Sequence, residues 1–352
     1  INNKNIRKEK VLEIKCENVI ISELIQKSRN LNMDCNKGKN NLFSLKANFF
    51  GEFNNFSGKI QNINSNLLLD YWLNENFNFL KTGFHCQLNG SYSIKTKKDF
   101  SIESVNFVSD ESILTLKKIE EEKSLKTNLS GLLSWDKRTN LFRFTDLFLG
   151  EQFVASGEID LVSQRGYTNF LSQNILVEDT KNYINELFTF YRFPLEINFS
   201  KISNKFRDGN LKNLSIIVKF SLFEKFVIEE ITGSSVFNNT RFQYNDKIFK
   251  KLFSTISGDF NFKVKPQEFD DNFMNINLTA TSGIIFINNN IQYKFRKAII
   301  SGRFYNNNFL ISKADFFKNS DVEYTFNDVV IGKEDIYIAR AKYIKENKVQ
   351  YI

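Results

Sequence analysis

Apolar and polar residues alternate with a period of two along much of this chain, the spacing that places successive side chains on opposite faces of a strand. The stretch FHCQLNGSYSI puts Phe84, Cys86, Leu88, Tyr92 and Ile94 on one face and His85, Gln87, Asn89, Ser91 and Ser93 on the other. Leu214, Ile216, Val218 and Phe220 share a face in the same way. Phe260, Phe262 and Val264 oppose Asp259, Asn261 and Lys263, and Met274, Ile276, Leu278 and Ala280 oppose Asn275, Asn277 and Thr279. Val322, Tyr324 and Phe326 repeat the pattern. One dry and one wet face per strand is the mark of an antiparallel sheet, so the pattern predicts a mainly β protein.

Helical spacing is confined to two short stretches. Residues 65–76 offer Ser65 as an N-cap with Leu68, Leu69, Trp72 and Leu73 near one stripe. Residues 178–190 open acidic and align Tyr183, Ile184, Leu187 and Phe188. Two short helices cannot cover so many apolar strand faces. The sheet must cover itself, as a sandwich or barrel, or cover something else.

Small-residue–Gly pairs punctuate the chain at Ser57-Gly58, Asn89-Gly90, Ser130-Gly131, Ser156-Gly157, Thr232-Gly233, Ser257-Gly258, Ser282-Gly283 and Ser301-Gly302. Most are expected to precede a strand, where glycine lets the chain turn or bulge. Two longer units align, Thr232 to Phe262 and Ser282 to Asn306, each running Gly, Phe, an Asn turn, Tyr, then Ser-Gly and Phe. This repetition predicts one β-rich body over residues 1–352, with halves at 1–175 and 176–352 that each carry a short helix followed by strands.

Composition adds limits. Hydrophobic residues are 41% and charged residues 25%, a globular balance. Phe 38 against Pro 2 follows the AT-rich codons shared by Phe, Asn, Lys and Ile, and says little about function. The net charge of +8 is scattered among acidic residues without a basic cluster or module, so no nucleic-acid partner is expected. Cys16, Cys35 and Cys86 lack zinc spacing; Cys86 reads as a small buried hydrophobe, and Cys16 with Cys35 as a possible pair in an oxidising compartment. His85 is the only histidine and reads as exposed on the polar side of its strand. No metal, cofactor or catalytic centre is expected. Glu229-Glu230 and Asp270-Asp271 adjoin in sequence rather than facing each other across a cleft, and Glu120-Glu121-Glu122 reads as a solvated loop. No apolar run approaches the ~18 residues of a membrane span. Because the chain opens on Ile1, we expect it to be a segment of a longer one.

The unit SGLLSWDKRTNLFRFTDLFLGEQFVASGEID, from Ser130 to Asp160, resembles the repeat of AsmA-like proteins: a Gly-led strand, a Trp-Asp turn, an apolar strand, then Ser-Gly. The stretch from Leu67 to Ile94 is similar to that family's short helix and following strand, and Asp179 to Phe220 to the central region of its YhdP-type members. The likeness covers roughly residues 50–330, with Tyr191-Arg192 and Pro194 standing where Trp-Pro and Arg-Trp pairs are common. The resemblance implies an elongated antiparallel sheet rolled into an open hydrophobic groove, a β-taco, that carries phospholipid between inner and outer membranes. It further implies a periplasmic location, an inner-membrane anchor elsewhere in the parent chain, and contacts with both membrane surfaces through parts outside this segment. The groove lining would be Phe84, Leu88, Tyr92, Ile94, Leu214, Ile216, Val218, Phe220, Phe260, Phe262, Val264, Ile276 and Leu278. The competing reading is a structural or adhesive β-repeat with a self-filled core and no lipid. An enzyme is the least supported reading.

Overall fold

The computed structural model describes residues 15–24, 28–36, 42–64, 84–117, 124–149, 152–180, 208–223, 227–244, 252–266, 272–286, 292–305, 308–331, 336–345 and 348–351. By internal contacts the chain forms two units. Unit 1 is Ile1–Gly150 with Asp160–Val162, and unit 2 is Glu151–Ile159 with Ser163–Ile352.

Unit 1 contains β1 (Lys15–Leu24), β2 (Ser28–Asn36), β3 (Leu42–Phe50), β4 (Phe53–Asn64), β5 (Phe84–Lys97), β6 (Ile102–Lys117), β7 (Ser124–Asp136) and β8 (Leu141–Leu149). Each pairs antiparallel with the next. Unit 2 runs through β9 (Phe153–Asp160), β10 (Arg165–Leu176), β11 (Asn210–Ser221), β12 (Val227–Tyr244), β13 (Leu252–Val264) and β14 (Phe273–Phe286). It continues through β15 (Gln292–Tyr305), β16 (Asn308–Phe317), β17 (Val322–Ile331), β18 (Ile336–Lys345) and β19 (Lys348–Tyr351). From β10 onward these strands also pair antiparallel in chain order, and β9 pairs with β10. In neither unit does a described ladder join first strand to last. The protein is mainly β, antiparallel and open.

Helix is nearly absent among the described residues. The stretch expected at 65–76 lies outside them. Of 178–190, residues 178–180 belong to a helical turn spanning 177–180, where the Thr180 hydroxyl donates to the Leu176 carbonyl at 3.0 Å, and the rest lies outside.

Local chemistry sets the turns. After Trp135, the Asp136 carboxylate accepts the N–H groups of Arg138 (2.8 Å) and Thr139 (3.3 Å), and Asn140 takes φ +53° to start β8. Asp99 accepts the Ser101 N–H (3.0 Å) between β5 and β6, and Asp160 the Val162 N–H (2.8 Å) between β9 and β10. Aspartate is suited to these places because its short side chain bonds backbone two residues ahead.

The Ser-Gly pairs do not mainly precede strands, as expected from the sequence. They lie within strands, at Ser57-Gly58 in β4, Asn89-Gly90 in β5, Ser130-Gly131 in β7 and Ser257-Gly258 in β13 among others. Asn89-Gly90, Ser130-Gly131 and Ser257-Gly258 there face β-bulges. Left-handed residues interrupt β4, β6, β8, β11, β12 and β14 at Asn62 (φ +57°), Glu111 (+52°), Asp146 (+48°), Asn213 (+52°), Asn239 (+51°) and Ser282 (+69°). Ladder registers shift beside them, at Ile60/Ile63, Ser109/Ser112, Lys212/Ser215 and Phe237/Thr240.

A repeated contact closes three of these bulges. The Asn62 N–H donates to Asn89 Oδ1 (2.6 Å), the Glu111 N–H to Ser130 Oγ (3.1 Å) and the Asn239 N–H to Ser257 Oγ (3.1 Å). In each case the acceptor is the small polar residue before a glycine on the next strand. That glycine is required sterically. At Gly90 and Gly258 (φ +154° and +151°), a Cβ would overlap the carbonyl oxygens of Val108 and Asn277. The motif is thus a bulge clasp repeated across the ladder, and bulges in line bend a sheet locally and increase its twist.

Candidate functional site

Directly opposed residues in adjacent strands stand on the same face, so the ladders sort the apolar positions into rows. In unit 1 one row reads Ala47, Phe56, Ile94, Val105, Trp135, Phe142 from β3 to β8. A second reads Gly58, Tyr92, Phe107, Leu133, Phe144. Apart from the buried Ala47, the apolar side chains of both rows are half-buried rather than enclosed. Tyr92 stacks on Phe43 at 5.6 Å between ring centroids and donates its hydroxyl to the Ser44 carbonyl at 3.0 Å. Burial pushes the Tyr92 phenol upward, and also raises the Cys86 thiol to about 11. Both groups are neutral near pH 7 and add no charge to this face.

Unit 2 carries longer rows. Ile175, Leu211, Phe237, Gly258, Leu278, Ile300, Ala314 and Phe326 follow one another from β10 to β17. Beside them run Thr240, Ile256, Ala280, Ala298, Phe316 and Tyr324. Many of these side chains form one buried cluster, in which Ile256 is 4% exposed, Phe260 8%, Phe316 8% and Ala298 0%. Phe237 lies 4.8 Å from Phe260, and Phe316 packs edge-on against Phe295 (5.3 Å) and Phe326 (5.8 Å).

The residues expected to line a groove fall into both units. Leu214 and Phe260 belong to the buried cluster, with Ile216, Phe262, Ile276 and Leu278 packed against it. Phe260 is directly opposite Ile276, and Ile216 shares a row with Phe262 through Gly233. Val218 and Val264 are joined through Ile231, while the buried Phe220 faces Gly166 and Ile228. In unit 1, Ile94 is opposite Phe56, Tyr92 is opposite Phe107, and the half-buried Leu88 is opposite Ile63. Phe84 is opposite Leu116 and His85 opposite Thr115 in the ladder, and their side chains lie outside the described ones.

Alternation alone missed Phe237, Ala298 and Phe316 in unit 2, and Phe56, Val105 and Trp135 in unit 1. The bulges explain part of this. Leu211 and Leu214 are both buried although three apart, because left-handed Asn213 intervenes. Ser109 and Ser112, three apart, are likewise both buried. Small polar residues spaced by three were the available signal.

The polar face is held by ion pairs. Glu230 bridges Lys219 (2.9 Å) and Lys263 (3.0 Å) across β11, β12 and β13. The hydrogen bonds from Lys219 and then Lys263 hold its carboxyl below the usual range. Its neighbour Glu229 pairs with Arg165 at 3.3 Å, so each of these adjoining carboxylates has its own basic partner. Residues 120–122 and 270–271 lie outside the described ones. Among the described residues no three His, Cys, Asp or Glu side chains come together as a metal site, and no helix is long and apolar enough to cross a membrane. Among the described residues the geometry is that of an antiparallel sheet with rows of apolar side chains. No family model, curated protein or solved structure matches the chain.

Proposed function

We propose that this chain is a lipid-carrying β-sheet segment of the AsmA-like kind, moving phospholipid between inner and outer membranes along its apolar face. The observation that carries this reading is the unit 1 row Phe56, Ile94, Val105, Trp135 and Phe142. Five consecutive strands present an apolar side chain there, and each is half-buried rather than enclosed. A contiguous apolar strip left to water is unfavourable and marks a binding surface. Acyl chains would satisfy it at about 25 cal/mol per Å² removed from water, and rows without a distinguished position suit a ligand that slides. The reading places the chain in the periplasm, anchored to the inner membrane through the parent chain.

A second reading, a structural repeat that fills its own core, draws on unit 2, where Leu214 (3% exposed) and Ile256 (4%) are covered by protein side chains alone. Photo-crosslinking separates the two. A benzophenone amino acid at positions 88, 107, 216, 262 or 278 of the parent chain in membranes should capture phospholipid, most strongly at 107. Capture at none of the five rejects the conduit. Ile216→Asp and Phe262→Lys place an unpaired ion on the dry face and should stop lipid transfer where folding survives.

A further inference from the structure

We infer that Cys16 and Cys35 form a cross-strand disulfide that staples β1 to β2. The two are Cα partners in the β1–β2 ladder, between Lys15 opposite Asn36 and Glu17 opposite Asp34. Directly opposed residues of an antiparallel pair have Cα atoms roughly 4.5 or 5.5 Å apart, and both spacings fall inside the roughly 4.4–6.8 Å that a disulfide spans. The register thus meets the Cα spacing of a disulfide. The third cysteine has no such placement: Cys86 is opposite Leu114 in β5 and β6, and its thiol is buried.

The same ladder contains a conflict that a covalent link resolves. Glu17 and Asp34 occupy directly opposed positions next to the cysteines, and like charges so placed weaken strand pairing. The register breaks immediately beyond, between Glu17 and Ile20. Two opposed acidic positions and a bulge thus fall together at the end of the ladder where the cysteines sit, and a bond between positions 16 and 35 would hold that end closed.

The oxidant is a small-molecule disulfide, RSSR, or an enzyme carrying an equivalent one. The thiolate of one cysteine attacks RSSR, forms a mixed disulfide and releases one RSH after protonation. The second thiolate displaces the other RSH, so that two protein thiols are oxidised and one RSSR is reduced to two RSH. The inference makes no use of the lipid reading, and either stands if the other fails.

The test is a thiol count on the folded chain equilibrated with oxidised and reduced glutathione, then acid-quenched, denatured and alkylated with iodoacetamide. Of its three cysteines, one should label without reductant and three with it, and peptide mapping should place the single label on Cys86. Cys16→Ser serves as the second variant: without reductant Cys86 should label, and Cys35 should map as a labelled thiol or as its glutathione mixed disulfide, never bonded to Cys86. Three labels without reductant, or a mapped disulfide that includes Cys86, overturns the assignment.

Discussion

Phe260 in unit 2 and Phe107 in unit 1 both sit mid-strand on the apolar face, yet Phe260 is 8% exposed and Phe107 only half-buried. The difference lies in what stands beside them. The rows of unit 2 mix sizes: Ala280, Ala298, Ala314 and Gly258 stand in the same rows as Phe237, Phe316 and Phe326. A ring can lie over a small neighbour, and large-on-small packing is how facing layers interdigitate without voids. In the first row of unit 1 only Ala47 is small, and Phe56, Ile94, Val105, Trp135 and Phe142 stand side by side. Apart from Phe56 beside Ala47, these side chains have only larger neighbours along the row, and all five are half-buried. Both units share one strand grammar and one bulge clasp. Residue size along the row is one difference between the apolar faces of the two units.

Truncation should separate the units most sharply. Phe260→Ala leaves a cavity among buried rings and should destabilise unit 2 by about 3–5 kcal/mol. Phe107→Ala loses contacts on one side only and should cost about 1 kcal/mol, within the usual range for single substitutions. Urea denaturation, with hydrogen exchange to locate the loosened strands, measures both. Equal costs would mean that the two apolar faces are packed alike.

The bulge clasp should be equally strict in both units. Gly258→Ala and Gly90→Ala each drive a Cβ into a backbone carbonyl of the next strand, in a conformation that only glycine adopts easily. Each should cost about 1–3 kcal/mol, with exchange protection lost around Asn239 in one case and Asn62 in the other. A large cost in unit 2 alone would mean that the core, rather than the clasp, needs the glycine.

The smallest effect concerns the polar face and depends on pH. The Glu230 carboxyl is held below its ordinary value, first by the Lys219 hydrogen bond and then by that of Lys263. Its contribution is therefore present above the unfolded value of about 4.3 and fades as pH falls through the lower folded value. Glu230→Gln should cost about 1 kcal/mol at pH 7 and nothing once both chains are protonated at the bottom of that window. Glu103 in unit 1 reaches Lys97 and Lys137 at the longer distances of 3.6 and 3.4 Å, and Glu103→Gln should cost less. Matched urea titrations at neutral and acidic pH check the order.

Strand content, the Trp135-Asp136 turn and the faces of Phe260, Phe262, Ile276 and Leu278 were legible in the sequence. Alternation follows from the two-residue period of an extended chain, and an aspartate turn is local chemistry. The bulges were not legible as such. A left-handed Asn213 or Glu111 looks like any other polar strand residue until its partner strand supplies Ser, Asn or Gly at the matching height. That partner is a register fact. So is the pairing of Cys16 with Cys35, which lie nineteen positions apart in sequence and opposite in the ladder. The sequence by itself determined a mainly β, antiparallel chain with one apolar face. Only the tertiary structure decided which apolar residues share a row. Rows run perpendicular to the chain, so whether a ring meets an alanine or another ring depends on pairing, and no reading along the chain contains that.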